Sequence, residues 1–202
     1  MDEKIKVAID ADFFRNITEY EQGINLFLQV MKDLGMQPFM HEFVANVELK
    51  GNKYLKQLRD AGEISIIIYG DYLKKEDRLE YEEYFRQAFE TINLFDFPEE
   101  SDIYEYADRD ESLGEIRSLY MASKRGYIYF MSDDADARTL AKRFFSSKRG
   151  VAVKTLYDVL IMCKEVGTKL QWKDINPTVA NAMQKRQDKV NNLKGIYKIL
   201  ST

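Results

Sequence analysis

Short apolar runs that alternate with segments of helical length are the feature that most constrains the fold of this chain. Residues 5–9 (IKVAI), 64–69 (ISIIIY) and 127–132 (YIYFMS) are rich in β-branched and aromatic side chains and almost free of charge. Runs of this kind are typical of strands that are buried on both faces of a sheet. Their alternation with helical segments predicts an α/β fold, with a mainly parallel central sheet of about four to five strands and helices on both faces.

Charge divides the chain into two parts. Residues 1–137 hold 16 basic and 30 acidic residues, whereas residues 138–202 hold 14 basic and 4 acidic residues. We predict an α/β domain over residues 1–167, with an acidic helical insertion at about 71–112, and a basic helical extension over residues 168–202. Either the acidic part binds cations and the basic part faces a polyanion, or the two parts simply attract each other.

Helix boundaries are predicted from capping patterns. Thr18, three residues before Glu21, is predicted to cap the helix that follows the first strand. Pro177 is predicted at the first position of a single helix that runs through the extension to about Ile199. Apolar residues recur along this helix at helical spacing, so we expect it to pack on the domain.

Composition excludes several classes of function. The chain has one cysteine, Cys163, and one histidine, His41, so we expect no intrachain disulfide, no Cys/His zinc site and few of the nucleophile–histidine arrangements. No run approaches the roughly 18 apolar residues of a membrane span. No secretory signal precedes the first strand, and we therefore expect a cytoplasmic protein without membrane contact.

Acidic side chains follow the predicted strands where those strands end. Because the carboxyl ends of parallel strands meet at one edge of a sheet, we expect these acids to converge. Crowded carboxylates repel one another, and an all-oxygen ligand set suits Mg²⁺ or Mn²⁺. Each acid taken alone also has an ordinary explanation, as a strand-end turn or a helix N-terminus. The predicted metal ligands are Asp10, Glu115, Asp133, Asp134 and Asp136.

The order of these motifs resembles the PIN domain, a family of Mg²⁺/Mn²⁺-dependent nucleases. The matching pieces are VAIDADFF, a strand that ends at Asp10; Glu115, near the start of a helix; and FMSDDADA, a strand that enters the acid pair Asp134 and Asp136. The resemblance covers most of residues 4–166. It implies an α/β fold and hydrolysis of a phosphodiester bond, most typically in RNA, by metal-activated water.

The family has one further acid, on a helix after the second strand. Glu42 and Glu48 both fit this place, and Glu48 is favoured because Glu-Leu after an apolar pair is the more typical form. The catalytic residues that the resemblance implies are Asp10, Glu48, Glu115, Asp134 and Asp136.

Basic residues near and beyond the acids could hold the phosphates of the nucleic acid that such an enzyme would bind, single-stranded or structured RNA. The choice between RNA and DNA, self-association and an inhibitor protein all stay open. The predicted phosphate-binding residues are Lys124, Arg125, Arg138, Lys142, Arg143, Lys185, Arg186 and Lys189.

Two other functions fit the same acids. In a haloacid-dehalogenase-type phosphatase, Asp10 would be the nucleophile, Asp12 the acid/base, and Asp133 with Asp134 would hold Mg²⁺. That hypothesis leaves Glu115 without a role. The other alternative is a PIN-like module that binds RNA or a protein without catalysis.

Overall fold

A five-stranded, wholly parallel sheet forms the centre of the protein. The computed structural model describes residues 4–20, 22–107, 112–146, 150–183 and 186–198. The strand order is β3-β2-β1-β4-β5, so the first strand is central. Ile9 pairs with Met131 and Ala8 pairs with Phe39. The strands are β1 (Ile5–Ile9), β2 (Met36–His41), β3 (Ser65–Ile67), β4 (Tyr129–Met131) and β5 (Ala152–Lys154).

Helices connect every pair of successive strands, which confirms the predicted α/β class. A π-helix at Val44–Glu48 and a 3₁₀ turn at Lys75–Asp77 complete the described elements. The α-helices are α1 (Ala11–Thr18), α2 (Gly23–Asp33), α3 (Lys53–Asp60), α4 (Tyr69–Tyr72), α5 (Arg78–Asn93), α6 (Leu113–Lys124), α7 (Ala135–Phe144), α8 (Leu156–Glu165), α9 (Trp172–Ala182) and α10 (Gln187–Ile196).

Helices cover both faces of the sheet, as predicted. Successive residues of β1 point to opposite faces, so Val7 and Ile9 belong to one apolar core and Ala8 to the other. The first core includes side chains of α1, α2, α8, α9 and α10, and the second includes side chains of α5, α6 and α7. The acidic segment is therefore part of the second core, because α5 buries Tyr81, Phe85 and Phe89 completely.

The start of the first helix differs from the prediction. Thr18 ends α1 and does not cap the next helix, and its hydroxyl donates to the Phe14 carbonyl four residues earlier at 2.7 Å. Asp10, directly after β1, takes the N-cap position of α1. α1 was not predicted from the sequence because it begins directly after β1, with no loop between them.

The basic extension packs on the domain, but as two helices and not as one. Pro177 lies inside α9, which begins at Trp172, because Asp174 accepts the backbone N–H of Gln171 at 2.8 Å and so starts the helix earlier. Val179 of α9 and Leu193 of α10 are fully buried in the first core. Within the described ranges, no helix is both long and apolar enough to cross a membrane.

Candidate metal centre

Asp10 and Asp134 meet where the neighbouring strands β1 and β4 end. The backbone N–H of Asp10 donates to the Met131 carbonyl at 3.0 Å, so the two strand ends are joined directly. The Ser132 hydroxyl donates to Asp10 Oδ2 at 3.2 Å and accepts the backbone N–H of Asp134 at 3.1 Å. Asp134 in turn caps α7 by accepting the N–H of Asp136 at 2.7 Å. One serine therefore positions both acids.

Glu48 and Glu115 reach the same place from the other side. Glu48 is the last residue of the π-helix that follows β2, and Glu115 lies in the first turn of α6. The Glu48 carboxylate accepts the backbone N–H of Gly114 and lies so close to it that a Cβ at Gly114 would be 2.3 Å from Glu48 Oε1. The N-terminus of α6 thus holds Glu48, and only glycine leaves room for it.

A cavity of about 230 Å³ lies among these acids, and we call it the acid cavity. It opens at the carboxyl edge of the sheet, where ligands of α/β proteins generally bind. Its lining residues are Asp10, Ala11, Asp12, Arg15, Glu48, Ser112, Glu115 and Asp134.

Three carboxyl groups of the acid cavity hold their protons unusually tightly. Burial first, and then neighbouring carboxylates, raises the pKa of Asp10 to about 7, that of Glu48 to about 8 and that of Glu115 to about 10. Asp10 Oδ1 is buried and, among the residues that the structure describes, has no hydrogen-bond partner. A buried acid oxygen of this kind requires either a proton or a cation.

Among the described residues, Arg15 is the one cation in the lining of the acid cavity. Its guanidinium donates to the backbone carbonyl of Glu48 at 2.7 Å and to Asp12 Oδ1 at 3.2 Å, and it lowers the pKa of Glu48 in part. One guanidinium cannot neutralise the other carboxylates, so the cavity stays acidic.

The donor set fits Mg²⁺ or Mn²⁺, because every side-chain donor is an oxygen. Asp10, Glu115 and Asp134 would hold the ion, with Glu48 beside them. In the described part of the chain, no three His, Cys, Asp or Glu side chains are already gathered as a ligand set. The acids therefore line a cavity and do not yet enclose a site, as expected for carboxylates that repel one another.

Asp133 and Asp136, also predicted as ligands, are not among the lining residues of the acid cavity. Asp133 Oδ1 accepts the backbone N–H of Leu156, and Oδ2 accepts Asn16 Nδ2, both at 2.8 Å. These contacts join α1, β4 and α8, so Asp133 is structural. Asp136 accepts the Ser112 hydroxyl at 3.1 Å and supports the lining from behind.

Glu42, the other candidate for the helix acid, faces away from the acid cavity. Its Oε1 accepts the backbone N–H of Tyr69 at 2.8 Å, and it lines a separate pocket beside Arg117. Of the two candidates, only Glu48 lies with Asp10 and Glu115.

Lys124 and Arg125 lie at the wrong end of α6 to hold a substrate at these acids. Nine residues separate Glu115 from Lys124, which is about 14 Å along a helix. The Lys124 ammonium pairs with Asp77 at 3.1 Å and Glu80 at 2.9 Å. Arg125 donates to the Asp71 carbonyl at 3.0 Å. These contacts place both residues away from the acid cavity, and their contact with phosphates stays a prediction.

The basic residues of α7 are exposed and lie at increasing distance from the acid cavity. Arg138, in the first turn, donates to the Asp133 carbonyl at 3.4 Å. Lys142 and Arg143 follow one turn later, and the Arg143 guanidinium lies 5.5 Å from the Phe144 ring. Arg138 is therefore the α7 cation nearest to the acids.

Two of the predicted cations of the extension make weak contacts. Arg186 approaches Asp188 at 3.6 Å, and the Lys189 ammonium lies 4.9 Å from the Tyr157 ring. Lys185 lies outside the described residues.

Sequence patterns missed three residues of this centre: Arg15, Ser112 and Ser132. Arg15 was hidden because α1 was not predicted. Ser132 and Ser112 carry signals that could have been found, since one ends a strand and the other precedes the predicted start of a helix.

No protein-family model, curated protein or solved structure matches this chain. The resemblance to the PIN domain therefore rests on the residues of the chain alone.

Proposed function

We propose that this protein is a Mg²⁺- or Mn²⁺-dependent nuclease of the PIN type, which hydrolyses phosphodiester bonds in single-stranded or structured RNA. One observation carries the proposal. Carboxylates from four separate segments line one cavity at the carboxyl edge of a parallel sheet, and they belong to Asp10, Glu48, Glu115 and Asp134. The raised pKa values of Asp10, Glu48 and Glu115 support a role in holding a cation, as does the Asp10 oxygen that has no partner among the described residues.

Divalent ions at such a site lower the pKa of bound water and stabilise the oxygens of an in-line displacement at phosphorus. The residues of the chain supply the rest. Ser132 orients Asp10, the α6 N-terminus orients Glu48, and the Arg15 guanidinium fixes the backbone beside Glu48. No protein nucleophile is needed, which suits a chain whose single histidine is buried elsewhere.

The experiment compares the parent with Glu115→Gln on a dye-labelled single-stranded RNA, in Mn²⁺, in Mg²⁺ and in EDTA. We expect cleavage by the parent only with metal, and a loss of at least a hundredfold in Glu115→Gln. Glu42→Gln is the matched control, because glutamine can still accept the Tyr69 N–H and the residue lies outside the acid cavity.

A phosphatase that uses Asp10 as nucleophile is the second candidate, because Asp12 lines the acid cavity with it. A chromogenic phosphate ester separates the two. Turnover of the ester without RNA cleavage would replace the nuclease by the phosphatase. An inactive parent that still binds RNA would leave only a binding module.

A further inference from the structure

A second cavity, lined with cations, adjoins the acid cavity. It has a volume of about 450 Å³ and lies between the π-helix and α3, and we call it the basic groove. Its lining residues are Ala45, Asn46, Leu49, Lys50, Gly51, Asn52, Lys53, Leu55, Lys56 and Arg59.

The charges of the basic groove are all positive. Lys50, Lys53, Lys56 and Arg59 recur every three residues, so they lie along one side of α3 and of the turn before it. No acid belongs to the lining. The groove lies within residues 1–137, where acidic residues outnumber basic ones. An ordinary exposed surface would carry charges of both signs.

Three of these four cations form no ion pair in the described parts of the chain. The Lys53 ammonium lies 4.8 Å from its neighbouring Tyr54 ring, and Lys50 and Lys56 are exposed. Arg59 has only a long contact of 3.9 Å with Asp60. Lys124, in contrast, is neutralised by two carboxylates. The basic groove therefore keeps its charge available for an anionic ligand.

The π-helix and the residue after it supply side chains to both cavities. Ala45, Asn46 and Leu49 line the groove, whereas Glu48, in the same segment, lines the acid cavity. A polyanion that places one phosphate at the acids would meet these lysines with its neighbouring phosphates.

The floor of the basic groove distinguishes among polyanions. Ala45, Leu49 and Leu55 are buried apolar side chains in the lining. Unstacked bases of a single strand can contact such a floor, whereas a duplex keeps its bases inside and presents phosphates and sugars. The Asn52 side chain already caps α3 by accepting the N–H groups of Tyr54 and Leu55, so the lysines and not the helix N-terminus would bind phosphate.

We propose that the basic groove binds the backbone of a single-stranded nucleic acid and leads it to the acid cavity. The inference rests on the proposed function for the position of the scissile bond, but binding itself requires no metal. Lys50, Lys53 and Lys56 contact phosphates, and the apolar floor receives bases.

The test measures binding in EDTA, by fluorescence anisotropy of a labelled 12-nucleotide RNA, at several salt concentrations. The variant replaces Lys50, Lys53 and Lys56 with Gln. The control replaces three exposed lysines on and after α8 with Gln and so removes the same charge. These lysines are Lys164, Lys169 and Lys173. We expect the groove variant to bind at least tenfold more weakly, with a salt slope smaller by about 2 because roughly three phosphate contacts are lost. The control should keep the parental slope.

Equal slopes in the two triple variants would overturn the proposal, as would a parent that binds duplex RNA more tightly than the single strand. Thermal melting monitors folding, and Lys56→Gln alone should still lower the slope by about 0.7 if the triple variant is destabilised. A cleavage assay on the parent protein in Mn²⁺ separates the two proposals. Groove-dependent binding without cleavage would refute the nuclease and keep the groove, whereas cleavage with groove-independent binding would refute only the groove.

Discussion

Two regions at the same edge of the sheet bury polar groups, and they do so in opposite ways. Beyond β2 and β3, His41 Nδ1 accepts the Phe43 N–H at 3.0 Å, so Nε2 carries the proton that it donates to the Tyr72 hydroxyl at 2.9 Å. Burial, and then the charge of Arg117, lowers the pKa of His41 to about 3. This histidine is neutral and has partners at both nitrogens.

Arg117, next to this histidine, is held almost as completely. Its guanidinium donates to the carbonyls of Ile103 and Tyr106 at 2.8 and 2.6 Å and lies 4.1 Å from the Phe43 ring. The acid cavity, beyond β1 and β4, leaves Asp10 Oδ1 without a partner among the described residues. Arg117 Nε also has no hydrogen-bond partner among the described residues, so a missing partner does not by itself indicate a ligand site. The difference lies in the surroundings, because the Arg117 guanidinium is packed against the Phe43 and Phe85 rings, whereas Asp10 shares a cavity with other carboxylates.

Substitutions should have opposite effects in the two regions, and Arg117→Met should have the largest. It removes a buried guanidinium and its two hydrogen bonds to backbone carbonyls, so we expect a loss of about 3 kcal/mol or more in the free energy of unfolding. Urea denaturation measures it. Arg125→Met is the matched control, because Arg125 is exposed and should cost less than about 1 kcal/mol. Equal losses of unfolding free energy in Arg117→Met and Arg125→Met would contradict a structural role for Arg117.

Asp10→Asn should act in the other direction. Removing a charge from the crowded cavity relieves repulsion, and we expect the metal-free protein to gain about 1–3 kcal/mol at pH 8, while calorimetric Mn²⁺ binding weakens at least tenfold. Asp60→Asn, at an exposed acid, should change neither quantity. Unchanged Mn²⁺ affinity in Asp10→Asn would contradict the proposal that Asp10 binds the ion.

The two regions should also give the metal-free protein opposite pH dependences. Because the folded pKa values of Asp10, Glu48 and Glu115 are raised, the folded state binds more protons than the unfolded state from about pH 4 upward, and stability falls as pH rises through 7 and 8. The lowered pKa of His41 makes stability fall as pH drops from 6.5 towards 3. Between about pH 4 and 6.5 the two windows overlap, and three carboxyl groups outweigh one histidine. Melting temperatures in EDTA should therefore be highest at about pH 4 and decline towards alkaline pH.

Asp10→Asn should flatten only the alkaline limb of that profile, and Mn²⁺ should flatten it as well. A parental profile that rises steadily from pH 5 to pH 9 would contradict the raised pKa values.

Gly114→Ala should have the smallest effect on stability. Alanine improves helix propensity by roughly 0.5–1 kcal/mol, but its Cβ displaces the Glu48 carboxylate, so the free energy of unfolding should change by less than about 1 kcal/mol while Mn²⁺ affinity falls. Gly195→Ala, in α10 and with open space around it, should stabilise the protein and leave Mn²⁺ affinity unchanged. Equal affinities in both variants would show that Glu48 takes no part in binding the ion.

Local patterns predicted the acids that follow strands but not the directions of their side chains. Asp10 and Asp134 could be predicted because strand ends fix their position in the fold. Asp133 could not, since its contacts with Asn16 and Leu156 join segments far apart in sequence. The distance of Lys124 from the acids was predictable in principle, because it follows from helix length alone.

The basic groove escaped sequence analysis because its four cations lie in the acidic part of the chain. A net charge counted over residues 1–137 does not reveal four basic residues that lie close together. The groove itself forms where α3 packs beside the π-helix, which is a tertiary contact. The apolar runs, in contrast, predicted the sheet and both helical layers, since burial on two faces leaves a direct signature in composition.

The π-helix has a consequence for how this protein could lose or acquire its site during evolution. Its wide turn is closed by a bond from the Leu49 N–H to the Val44 carbonyl, five residues back, at 2.9 Å. Such a turn holds one residue more than an α-turn. Deleting a single residue there would restore an ordinary helix and rotate Glu48 by about 100° away from Asp10. A relative with that one deletion would keep the fold and lose one acid of the cavity without any substitution.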